Sequence, residues 1–137
     1  MPPSSYAQLE QADEITRQRH AIHARYAAGL QSLADDGQLH LPQAPAGCEH
    51  NAHMFYIIVE SAASRVRLLE HLKKNKIHAV FHYVPPHMSP MGQQYGYKPG
   101  DLPVTEELSE RLIRLPCYYE LSQADQDSVI AKIKEFF

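Results

Sequence analysis

Nine histidines among 137 residues are the richest source of chemistry in this chain, because imidazole can carry protons, donate and accept hydrogen bonds, and ligate metals. Three of them, His78, His82 and His87, fall close together. Metal binding is the first chemistry to test on them. The run Ala79-Val80-Phe81, followed at once by Pro85-Pro86, opposes a helix, so Ile77 to Val84 reads as a strand. On a strand His78 and His82 share a face but stand about 13 Å apart, too far to chelate one ion. No metal site is expected. His82-Tyr83 ends that strand and His87 follows two prolines, which sets three hydrogen-bonding groups at the mouth of a long loop. Prolines lower the ordering cost of such an edge, so it suits a preformed ligand contact. The same residues also fit plain surface histidines. His50 and His53 straddle a loop-to-strand boundary, where hydrogen-bonded structural histidines are the simpler reading.

Other reactive arrangements are missing. No Gly-x-Ser-x-Gly elbow, GxGxxG turn or Walker loop occurs. Cys48 and Cys117 sit in no CxxC spacing and read as small, unreactive apolar residues. The six lysines, Lys73, Lys74, Lys76, Lys98, Lys132 and Lys134, all fall at solvated positions of their elements.

The elements that must position these groups follow from periodicity. Leu9, Ala12, Ile15, Ile22, Tyr26, Leu30 and Leu33 lie on one stripe from Ser4 to about Asp35, and Gly37 supplies a left-handed stop. Such a helix spans about 45 Å, longer than the domain needs, and should reach beyond its own core. Leu39-His40-Leu41 is a brief strand, and the segment from His53 to Glu60 is the clearest strand. Ser64 precedes an amphipathic helix ending in Lys73-Lys74-Asn75-Lys76. Pro85 to Pro103 holds five prolines and three glycines in nineteen residues, a long loop of the kind that carries function. Pro103 opens a helix running through Leu108, Leu112 and Ile113, Leu115 to Tyr119 is extended, and Ser122 caps a last helix. The two longer strands are either parallel neighbours or a split pair with the short strands between or beside them. The sum is an α+β fold with helices on one face of a small sheet. Residues 1–36 form the long helix and 37–137 the compact part.

Hydrophobic residues make up 44% and charged residues 21%, with a net charge of −3. Neither a nucleic-acid backbone nor an anionic membrane is an electrostatic match. No stretch approaches the roughly 18 apolar residues of a membrane span, and the N-terminus lacks a signal-peptide pattern, so a cytoplasmic address is expected.

Four ordered motifs carry a resemblance: Asn51-Ala52-His53-Met54-Phe55-Tyr56-Ile57, Phe81-His82-Tyr83-Val84-Pro85-Pro86-His87, Leu102-Pro103-Val104-Thr105-Glu106, and Leu115-Pro116-Cys117-Tyr118-Tyr119 with Leu121-Ser122. From about Ala7 onward the chain resembles the C-terminal part of the DegT/DnrJ/StrS sugar-nucleotide aminotransferases. Its wording is most similar to the branch that makes dTDP-4-amino-4,6-dideoxygalactose for surface polysaccharide such as enterobacterial common antigen. The resemblance implies the small domain of an aspartate-aminotransferase-like fold, with the first helix linking it to a large domain. Family enzymes hold pyridoxal 5′-phosphate as a Schiff base on a lysine of that large domain, and move an amino group from glutamate to the keto sugar. This chain begins after that region, so no cofactor is expected on it alone, no residue of it is expected to be catalytic, and no transamination by it alone. Met1-Pro2-Pro3-Ser4-Ser5-Tyr6 replaces helical turns of the family, as in a truncated or separately expressed piece.

His82, Tyr83 and His87 match the family's His-Tyr-x-Pro-x-His motif, which implies substrate-side contacts. Asn51 and His53 match as well, either as further contacts or as residues that order the entry to the strand. The partners implied are a nucleotide-linked sugar, and a second copy or a large domain that buries the long helix's stripe. Two other readings remain: a non-catalytic binding or regulatory module, and a histidine metalloprotein.

Overall fold

The computed structural model describes residues 9–137. The first eight residues, where the long helix was expected to begin, lie outside the described ones. Helix α1 spans Ala12–Asp35. It ends where Gly37 takes φ 73°, and the Gly37 and Gln38 N–H groups donate to the carbonyls of Ala34 and Leu33. Its buried residues are Ile22, Tyr26 and Leu30. The ten residues before Ile22 add none to the core cluster. The helix therefore stands proud of the core at its N-terminal end, and Leu9 is 72% exposed.

Four strands form one antiparallel sheet in the order β1-β2-β4-β3, with β1 at Leu39–His40, β2 at Phe55–Val59, β3 at Val80–Phe81 and β4 at Leu112–Leu115. Helix α2, Ala62–Lys74, joins β2 to β3. Because β2 and β3 each pair antiparallel with β4, they run parallel with β4 between them. The split arrangement is the one adopted.

Alternation decides which sheet face is sealed. Phe55, Ile57 and Val59 are buried while Tyr56 and Ile58 are half-exposed, and the register pairs Phe55 with Leu115 and Ile57 with Ile113. These side chains meet Leu68 and Leu72 of α2, Tyr26 and Leu30 of α1, and Val129 and Ile133 of α5, Gln123–Phe136, in one cluster. Fully burying each such side chain contributes about 1.5–3 kcal/mol. Tyr26 spans the layer and donates its hydroxyl to the Pro116 carbonyl at 2.9 Å. Burial holds its phenol far above the ordinary range.

Three sequence expectations need correction. The strand read over Ile77 to Val84 shrinks to Val80–Phe81, because the flanking residues leave the ladder as the chain turns into the proline-rich loop. Helix α4, Pro103–Arg111, stops before Leu112 and Ile113; both belong to β4, Leu112–Leu115, whereas the sequence reading began its extended segment only at Leu115. β-branched and apolar residues at the helix end satisfied both periods, and pairing with β2 chose the strand. Finally, Ser61 rather than Ser64 caps α2, its hydroxyl accepting from the Ser64 N–H at 3.1 Å.

Candidate functional site

The chain between β3 and α4 is folded onto itself. Pro86–Met88 forms a 3-10 turn and Pro90–Gln94 a short helix, α3. Ser89 caps α3, accepting from the Gly92 N–H at 3.1 Å while donating to the Pro86 carbonyl at 2.6 Å. Gly92 presses on this turn so closely that a Cβ would sit 2.3 Å from the Pro86 carbonyl oxygen. A cavity of about 480 Å³ opens beside it, lined among others by His87, Met91, Tyr95, Tyr97, Leu102 and Thr105. Tyr95 and Tyr97 are 78% and 52% exposed. No lysine or arginine lines it, so this hollow suits flat or weakly polar groups better than a pyrophosphate.

One carboxylate holds the hollow's floor and rim together. His87, buried to 6% exposure, places Nε2 2.8 Å from Glu106 Oε1. The Gly100 N–H donates to both oxygens of Glu106 at 2.8 and 3.0 Å, and the Leu102 N–H reaches Oε1 at 3.4 Å. These donors, His87 foremost, hold the Glu106 carboxyl below its usual range, against a smaller opposing effect of desolvation.

His82 and Tyr83 sit at a different spot. His82 is half-buried, its Nδ1 enclosed without a hydrogen-bond partner among the described residues. Tyr83 is 73% exposed, 5.1 Å from the His82 ring by centroid, and the Arg114 guanidinium lies 5.8 Å from its own ring centre. Of the three residues in the His-Tyr-x-Pro-x-His pattern, only His87 lines the tyrosine-walled cavity.

Asn51 and His53 line a second cavity of about 550 Å³, with His23, Glu49, His50 and Tyr56 among its walls. Asn51 Oδ1 accepts from His53 Nδ1 at 2.6 Å and from the His53 N–H at 3.3 Å. Beside them three imidazoles gather, His50 lying 4.9 Å from His20 and 4.2 Å from His23 by ring centroid. The Ala52 N–H donates to His50 Nδ1 at 3.2 Å. That bond leaves the proton on Nε2, which opposes metal ligation there. Among the described residues no group of three or more His, Cys, Asp or Glu is placed to hold a metal ion. Burial first, then the neighbouring His50 and His20, pushes the His23 imidazole below its usual value.

Sequence reasoning did not single out Glu106, Arg114, the two wall tyrosines or the three-histidine group. The first entered only as the last residue of the Leu102-Pro103-Val104-Thr105-Glu106 motif. A carboxylate in the first turns after the loop, with a histidine across that loop, was the available signal. Cys48 is exposed, and burial raises the thiol of half-buried Cys117, which suits an unreactive packing role.

Residues 5–134 match the DegT/DnrJ/EryC1/StrS aminotransferase family model. The chain belongs to that family. It is 33% identical over 129 residues to the dTDP-3-amino-3,4,6-trideoxy-alpha-D-glucose transaminase of Micromonospora megalomicea, covering 93% of this chain and 34% of that protein. It is 31% identical over 126 residues to the pleiotropic regulatory protein of Geobacillus stearothermophilus, covering 91% of this chain and 33% of the relative. A DegT/DnrJ/EryC1/StrS aminotransferase from Brucella abortus superposes with TM-score 0.80 at 31% identity, over 96% of this chain and 33% of that one. The DesV structure of S. venezuelae, solved with a ketimine intermediate, superposes with TM-score 0.86 at 27% identity, over 96% and 34%. The α+β fold is thus that of one segment of these aminotransferases. The chain spans about a third of the length of the relatives it matches.

Among solved structures of this fold, one from Streptococcus pneumoniae is a PLP form and one from Bacillus subtilis was solved with bound PMP. A Schiff-base lysine must be shielded from water to keep a neutral amine. Here Lys73, Lys74, Lys76, Lys98 and Lys134 are exposed, and Lys132 is paired with Glu135. Among the described residues no lysine is buried as a Schiff-base lysine would be.

Proposed function

We propose that these 137 residues serve as the small-domain wall of a sugar-nucleotide aminotransferase site, with the lysine-bearing, pyridoxal phosphate-binding surface supplied by polypeptide outside them. The observation that carries this reading is the pairing of a family match along nearly the whole chain with lysines that are all exposed or ion-paired. In this reading His82, Tyr83 and His87 contact a nucleotide-linked sugar, and Asn51 and His53 contribute from the second cavity or order the start of β2. The motif wording favours dTDP-4-keto-6-deoxyglucose as acceptor and glutamate as donor, in surface-polysaccharide synthesis. The protruding start of α1 links residues 37–137 to the large domain, and an oligomer or a paired large domain covers its stripe. The protein works in the cytoplasm.

The test is direct. Incubation of the purified chain with pyridoxal phosphate and borohydride, followed by mass measurement, should show no specific adduct, and glutamate should not aminate dTDP-4-keto-6-deoxyglucose in its presence. Robust amino transfer by the 137 residues alone overturns the reading.

A second reading is supported by the similarity to a protein named as a pleiotropic regulator: a module that binds nucleotide sugars without catalysis. Calorimetric titration with a dTDP-sugar separates the two. Saturable, tight binding by the isolated chain favours the module, and weak binding favours the incomplete site.

A further inference from the structure

We infer that Glu106 is a positioning residue of the nucleotide-sugar site: its carboxylate fixes the His87 imidazole and the Gly100–Leu102 turn at once, so that the tyrosine-bearing wall stands preformed. The inference rests on the reading of that site given above.

The geometry distinguishes this role from an ordinary helix-terminus acid. Glu106 lies in the first turns of α4, where any negative charge is favourable. Its oxygens accept from the N–H of Leu102, the residue that caps α4, as a helix-end acid can, and beyond that take two donors from the loop, His87 Nε2 and the Gly100 N–H. His87 and Leu102 both line the cavity, and Tyr95 and Tyr97 lie on the chain between them. One side chain thereby ties both ends of the wall to a helix. The wall's other bonds are local: the Tyr95 and Tyr97 N–H groups donate to the Gly92 carbonyl at 3.1 and 3.2 Å, and the Lys98 N–H donates to Asp101 at 2.9 Å. A carboxylate accepting from Nε2 also sets which ring nitrogen carries the proton, and so which face of His87 is offered as an acceptor.

Ground-state order of this kind lowers the entropic cost of taking up a ligand. Two conservative variants of the full chain separate it from a charge effect. Glu106→Asp keeps the negative charge on the helix but shortens the reach; Glu106→Gln removes the charge but keeps an oxygen at the same reach. Amide hydrogen exchange at Gly100 and Leu102, the proton-coupled nitrogen signal of His87 Nε2, and calorimetric affinity for dTDP-glucose are measured on each.

In Glu106→Asp, exchange at both amides should accelerate by about tenfold, the loss of roughly one hydrogen bond, and dTDP-glucose affinity should fall by a similar factor. Glu106→Gln should stay within about threefold of the parent chain in Leu102 exchange and in affinity, as the oxygen retained for His87 and Leu102 predicts, with faster exchange only at Gly100, whose N–H meets both oxygens and would face the new NH2 group. The opposite order, with the aspartate variant unchanged and the glutamine variant impaired, reduces Glu106 to a helix-end charge and overturns the inference. So does loosened exchange with unchanged affinity. If the parent chain takes up no dTDP-glucose, the free-standing binding module fails and the incomplete site stands, while the exchange and His87 signals still decide whether Glu106 holds the wall.

Discussion

The sealed face of the sheet and the loop between β3 and α4 are built on opposite principles. Behind the sheet, Phe55, Ile57, Leu68, Leu72, Ile113 and Ile133 are wholly buried and bind through area, with no single contact in charge. In the loop, Met91, Tyr95, Tyr97 and Leu102 stay exposed, and order comes from directional bonds gathered on Glu106 and Ser89. The first region holds itself together. The second keeps apolar surface uncovered at the expense of stability, as a surface prepared for a ligand or a neighbouring domain must.

The comparison breaks most visibly in the core. Phe55→Ala should lower global stability by about 3–5 kcal/mol, read as a shift in the denaturant midpoint, with every element losing protection together. An effect under 1 kcal/mol would mean that α1 and the sheet are not one packed unit. Next comes the loop's tightest contact. Gly92→Ala would force a Cβ against the Pro86 carbonyl, costing about 1–3 kcal/mol of local stability; faster amide exchange confined to residues 86–97, with a near-normal global midpoint, would show that the loop opens separately from the core.

Acid sharpens the contrast at the other cavity. The His23 imidazole is harder to protonate in the fold than in the open chain, through burial, then His50 and then His20. The unfolded chain therefore takes up protons first, and the stability held above the ordinary histidine value of about 6.5 drains away as pH falls through and below it. Glu49, His53 and Tyr56 line the same cavity, so the comparison is made in His23→Leu: its pH dependence between about 7.5 and 5 should be flatter than the parent chain's. Parallel curves would remove His23 from the account. The smallest effect belongs to Arg25, whose fork grips Asp127 of α5 at 2.7 and 3.0 Å. Because Asp127 is exposed and Arg25 half-exposed, Arg25→Ala should cost only about 0.2–1 kcal/mol, less at high salt.

Local pattern made much of this legible. The α1 stripe from Ile22 onward, the Gly37 stop, β2, the Ser122 cap and the amphipathic α2 each follow from spacing within a few residues, and each appears in the structure. Leu112 and Ile113 did not, because their types suit a helix end and a strand alike, and only pairing with Ile58 and Ile57 resolves them. The site was legible as a place rather than a geometry. Position in the chain pointed to His82, Tyr83 and His87, yet the fold sends His87 inward to Glu106 and leaves Tyr83 outside beside Arg114.

The sequence alone determined family, element types and the loop's unusual length, since these depend on residue identity and short-range periodicity. Only the tertiary structure decided that β4 separates β2 from β3, that His20, His23 and His50 gather at one cavity, and that a carboxylate nineteen residues from His87 organises another. Such contacts join groups far apart in the chain, and no local preference encodes them until burial of the sheet face brings them together.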